Sequence, residues 1–225
     1  MVQLAHERGV TLGIVEHGGH GQLIDSDNAL LRYIERLQEY PVYKGIQAEG
    51  LDWAECFSPQ TLDCLDYVLS DALTFPEQDG RLVRLWTPDV HIDPTEPAVA
   101  SFMARYVDFN VQVMATPINI LANPTFLPTC IRDRYDELWT HRRMDKVIKA
   151  ALRHSVAIEI TARYNIPSEA FIRRAKEAGV RFSFGSNYHN ADVGKLDYCL
   201  QMSKVCGLTR QDIYLPNRRD KEELE

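Results

Sequence analysis

The chain has 225 residues, of which 45% are hydrophobic and 25% charged, with a formal net charge of −7. That is the balance of a water-soluble globular protein with enough apolar residues for a sizeable core, and its acidity argues against a nucleic-acid surface. No apolar run approaches the ~18 residues that span a membrane, and MVQLAHERG has no basic segment leading into an apolar one, so neither a membrane partner nor a signal peptide is expected.

In chain order, VQLAHERG predicts a short helix, closed by a glycine turn before a strand at Leu12–Val15. A β/α chain normally opens on a strand. The start therefore reads as a genuine opening helix or as a chain whose first strand is missing, with a longer polypeptide as the source of that strand. Asp27–Gln38 has helical spacing, and Gly45–Ala48 and Tyr67–Leu69 read as strands. Asp71–Pro94 reads as a loop, at the length where a compact domain carries one only for a function. A helix over Pro97–Met114, a strand at Ile118–Leu121, a helix over Met144–Arg153 and a strand at Ala157–Ile160 follow. Ser168 is placed to cap a helix running to Ala178, and Gly179 to end it. A strand at Phe182–Phe184, a helix over Lys195–Val205 and a capping box at Thr209–Asp212 complete the pattern. Residues 217–225, NRRDKEELE, read as a charged disordered tail, leaving residues 1–216 as a single domain. Strands alternating with helices imply parallel β/α units, in an open sheet or a closed barrel. The five cysteines, Cys56, Cys64, Cys130, Cys199 and Cys206, form no CxxC and read as reduced and mostly buried, as in a cytoplasmic protein.

In parallel β/α folds, side chains just past the carboxyl ends of the strands converge. Here those positions hold Glu16, His17 and His20; Glu49 and Asp52; Ser70 and Asp71; Asn123; Glu159 and Arg163; Asn187 and His189. One acidic residue at a strand end is most often a cap, and one histidine a surface residue. A donor at nearly every strand end points instead to a shared site. Asn187 and His189 lie two apart on extended backbone and so face the same side. His6, His91, His141 and His154 fall in helical or loop contexts and read as structural or surface residues.

The same segments carry a family resemblance. GVTLGIVEHGG, KGIQAEG, DYVLSDAL, INILANP and AIEITARYNIPSEAFIRRAKEAGVRFSFGSNYH resemble, in order and spacing, successive strands of the polymerase-and-histidinol-phosphatase (PHP) family. The resemblance implies an α/β fold, a distorted TIM-like (β/α)7 barrel with its first strand lacking or altered, and metal-assisted hydrolysis of phosphate esters. His17, Glu49 and His189 match ligand positions. Leu73 stands where the family has a histidine, Asn123 replaces a histidine, Asn187 replaces an aspartate, and nothing supplies the family's opening His-x-His. Asparagine carbonyls are weak ligands and leucine is none. The expectation is therefore one divalent ion (Zn, Mn, Fe or Mg) on His17, Glu49 and His189, with Asn123 and Asn187 nearby. Glu49, Asp71 and Glu159 are the candidate catalytic carboxylates, and Arg163, Arg84 and His20 the candidates to hold a small anionic substrate. The alternative is a metal-free PHP-like barrel that binds a small polar ligand. An exposed first edge would also invite homo-oligomerisation.

Overall fold

Short apolar runs bounded by glycine, proline and asparagine become strands, and the amphipathic stretches between them become helices, in a computed structural model that describes residues 2–188 and 192–216. His189 and the charged tail, both part of the sequence expectations, lie outside the described residues. The elements are α1 (Val2–Glu7), β1 (Gly13–Gly18), α2 (Asp27–Leu37), β2 (Tyr43–Ala48), α3 (Pro59–Leu62), β3 (Tyr67–Ser70), β4 (Thr74–Pro76), β5 (Leu82–Arg84), α4 (Glu96–Met114), β6 (Ile120–Leu121), α5 (Tyr135–Leu138), α6 (His141–His154), β7 (Ala157–Thr161), α7 (Glu169–Glu177), β8 (Phe182–Gly185) and α8 (Asp197–Val205).

Six strands form one parallel sheet in the order β1-β2-β3-β6-β7-β8. The sheet curls far enough for residues of β1 and β8 to line one cavity, but these two end strands do not pair. The architecture is thus a parallel half-barrel, and the closed seven-stranded TIM-like barrel expected from the sequence is corrected. A barrel closes only when its first and last strands hydrogen-bond. Here, among the described residues, the outer edges of the end strands meet single bridges, Gly18 to Ile24 and Phe182 to Ile213.

The pleat sorts side chains between the two faces. Ile46, Ala48, Val68, Leu121, Ile158, Ile160 and Phe182 point outward and join the main core beneath the helices. Val15, Tyr43, Tyr67, Leu69, Ile120 and Ala157 form the smaller inner cluster, together with Tyr214. The Tyr67 ring lies across the inner face where β1 and β2 carry Gly13 and Gly45. A Cβ at Gly13 would come within 2.5 Å of the Tyr67 hydroxyl and one at Gly45 within 2.7 Å of its ring, so the absence of side chains is what admits it.

Other details depart from expectation. β1 runs on through Glu16 and His17 to Gly18. The segment expected to be a loop holds the β4–β5 hairpin. Phe75 of β4 is buried edge-on against Phe102, Tyr106 and Phe109 of α4, which pins the excursion to the body. Of the cysteines, Cys199 and Cys206 are buried, while Cys64 and Cys130 are exposed, correcting the expectation that most are buried. Among the described residues no helix is long and apolar enough to cross a membrane.

Candidate functional site

The inner face changes character along the strands. At the amino end it is apolar. Two or four residues further on, the same face carries His17 on β1, Gln47 and then Glu49 after β2, Asp71 after β3, Glu159 and Thr161 on β7, and Asn187 after β8. Period-2 alternation thus carries the strands' polar termini to one rim.

The rim holds two hydrogen-bonded groups, one around Glu49 and one around Asn123. His17 Nδ1 lies 2.8 Å from Glu49 Oε1, and Gln47 Nε2 and Thr74 Oγ1 each approach Glu49 at 3.4 Å. Asp71 accepts from the Leu73 N–H at 2.9 Å and from Asn123 Nδ2 at 3.1 Å. Asn123 Oδ1 accepts from Asn187 Nδ2 at 3.3 Å. Glu159 Oε2 accepts from the Asn123 N–H at 3.2 Å and from Thr161 Oγ1 at 2.6 Å. Asn123 and Asn187 hold left-handed backbone (φ 48 and 49), which asparagine tolerates better than most residues. Gly185 is fixed by this packing, because a Cβ there would collide with the Glu159 carboxylate.

The electrostatics follow from burial. Asp71 is pushed up to about 7, chiefly by loss of solvent, against the pull of the Leu73 N–H and with the Glu49 charge adding to the rise. Glu159 is raised by burial, which Thr161 and Asn123 only partly offset. His17 is raised above its usual 6.5 first by its hydrogen bond to Glu49, against partial desolvation, and further by the charges of Glu49, Glu16 and Asp71.

The structure therefore brings together His17, Glu49, Asp71, Asn123, Glu159 and Asn187. Arg163 stands at their border, donating to the Asn187 carbonyl at 3.1 Å. Arg84 lies opposite Thr74 in the hairpin, its guanidinium 5.9 Å from the Trp86 ring centre. His20 is exposed, 3.9 Å from Asp52 Oδ2. Sequence reasoning missed Gln47, Thr161, Thr74 and Gly185. Gln47 and Thr161 each sit two residues from a chosen carboxylate and were legible from alternation. Thr74 reaches the rim only because the hairpin folds back.

Among the described residues no group of three His, Cys, Asp or Glu side chains is arranged to hold a metal ion. The amides of Asn123 and Asn187 are engaged with each other and with Asp71, so they do not fit as ligands. His17 and Glu49 fit two positions of a single-ion site.

No family model matches the chain, and no curated protein matches it. Among solved structures it is similar to a chain in the cryo-EM structure of archaeal ribonuclease P with mature tRNA. The two are 13% identical, with a TM-score of 0.43, over 98% of this chain and 95% of that one. The expected PHP membership is corrected: no family model supports it. With it fall PHP-type phosphate-ester hydrolysis and its metal-free PHP variant. The expected small anionic partner rested on that membership and falls with it, and the expectation of no nucleic acid is withdrawn. The chemistry of this chain rests on its own side chains.

Proposed function

We propose that the rim of the half-barrel is a proton-transfer site acting on a small hydroxyl- or amine-bearing molecule that is neutral or cationic. One observation carries the reading. Asp71 is held between a backbone N–H and the Asn123 amide, and burial places its proton affinity near neutrality. A carboxyl group with that affinity exchanges a proton at little cost near pH 7, as a general base requires. Its ionised form takes a proton from the bound O–H or N–H. His17, kept protonated by Glu49, returns one to the opposite end of the ligand. Glu159 is bound by Asn123 and Thr161 and fixes the shape of the rim. The lining supports the ligand class: Glu49 and Asp71 offer acceptors to an O–H or N–H group.

The test is thermal shift with a panel of polyamines, amino sugars and polyols between pH 5 and 8, on the wild type and on Asp71→Asn. The expected result is a stabilisation by an amine or polyol that grows as pH rises through about 7 and disappears in the variant. Equal shifts in both proteins, or none with any compound, would overturn the reading. A single divalent ion on His17 and Glu49, completed by His189, is a separate proposal. Zn, Mn, Fe and Mg belong in the same panel, and a shift lost in His17→Ala supports it.

A further inference from the structure

The end strands of the half-barrel face one cavity of about 560 Å3, lined from β1 by Gly13, Ile14 and Val15 and from β8 by Ser183, Phe184 and Gly185. The direction of the main-chain groups bordering it follows from the ladder. The Tyr43 N–H donates to Leu12 O and the Glu49 N–H to Gly18 O. Leu12, Ile14, Glu16 and Gly18 therefore turn their N–H and C=O toward β2, and Gly13, Val15 and His17 turn theirs away. The His17 carbonyl accepts from the Ile24 N–H at 3.2 Å, which leaves Gly13 and Val15 facing the seam. On β8, the Ile158 N–H donates to Arg181 O and the Ala162 N–H to Gly185 O, so Phe182 and Phe184 face away from β7. The Phe182 carbonyl accepts from the Tyr214 N–H at 2.7 Å, and Phe184 faces the seam.

Each edge already accepts a parallel partner at one end, Ile24 beside Gly18 and Ile213 beside Phe182. What lies between those bridges is a slot. The segment after β8 borders it through Val193 and Gly194, and α1 packs on that segment: Ala5 is fully buried, a Cβ at Gly194 would lie 3.6 Å from the Ala5 Cβ, and the Arg8 guanidinium donates to Val193 O. Its inner side is the cluster of Val15, Tyr67, Leu69 and Ile120.

We propose that this slot binds an extended segment of a partner polypeptide as a seventh parallel strand. Two parallel edges that point main-chain donors and acceptors into one cavity suit a strand, which pairs with both at once, beside the Ile213–Pro216 segment that also lines it. The partner's side chains are mainly apolar, since Val15, Leu69, Ile120, Val193 and Leu196 line the slot. Its carboxyl end emerges at the rim beside Glu49 and Asp71, and is basic for that reason.

The probe is a fluorescein-labelled peptide, acetyl-TVIVTVK-amide, titrated with the whole protein and read by fluorescence anisotropy. Saturable one-to-one binding is expected. N-methylation of the peptide at the positions facing β1 is expected to weaken it by tenfold or more. So is Val15→Pro, which removes a seam-facing N–H and leaves the β1–β2 ladder intact. Circular dichroism checks the fold of that variant. If it does not fold, the N-methylated peptide against the wild type decides alone. Equal binding of the methylated and unmethylated peptides, or no binding of either, overturns the proposal. So does full displacement by dodecylamine with unchanged affinity in Val15→Pro, which would mark the slot as a site for apolar chains.

Discussion

His17 shows how a single contact sets a residue's chemistry. It has a carboxylate 2.8 Å from Nδ1. That hydrogen bond is the largest cause of its raised proton affinity. Glu49→Gln removes the charge and keeps the shape. The expected outcome, read by NMR titration of the imidazole, is a fall of the His17 pKa back toward 6.5 or below, because partial burial then acts unopposed by Glu49. An unchanged titration would mean that Glu16 and Asp71, the weaker charges in the structure, carry the shift. Gly185 is the complementary case, a residue whose contribution is the space it leaves for Glu159.

At the scale of elements, α7 was the most legible piece of the sequence. Ser168 follows a proline, and its Oγ accepts from the Phe171 N–H at 3.4 Å, as an N-cap should. Ser168→Ala is expected to cost about 1 kcal/mol in urea denaturation, the usual value of such a cap. A loss below a few tenths would show that Phe171 and Ile172, both fully buried, hold the helix without it. The capping box at Thr209 also forms, although it opens a 3-10 turn, with the Thr209 N–H donating to Asp212 Oδ2 at 2.7 Å. The β4–β5 hairpin was not legible. Its strands are three residues each, too short to show an alternation, and their anchor, Phe75, is decided by rings on α4.

Over the whole molecule, three raised groups act in the same direction. Asp71 rises from 3.8 to about 7, so between those values the folded chain holds a proton that the unfolded chain has released. Stability contributed by that proton is present at low pH and declines as pH climbs through that range. Glu159, also raised, adds to the decline. The raised His17 contributes stability that is full below 6.5 and lost as pH passes its folded value. The melting temperature is therefore expected to be higher near pH 5 than near pH 8, and Asp71→Asn to flatten that slope, as measured by calorimetry across the range. An identical slope in the variant would place Asp71 at an ordinary carboxylate value.

By itself the sequence determined the parallel β/α alternation, the approximate place of each sheet strand and most helices, and the convergence of His17, Glu49, Asp71, Asn123, Glu159 and Asn187 on one rim. These follow from local periodicity and from the rule that strand carboxyl ends share a side. Tertiary structure alone decided that the sheet stops short of closure, that Arg84 and His20 stand apart from the two hydrogen-bonded groups, and that the two asparagine amides bond to each other and to Asp71. Closure depends on whether two distant edges come within hydrogen-bonding reach. An amide's partner depends on what burial places beside it, and no residue carries either quantity alone.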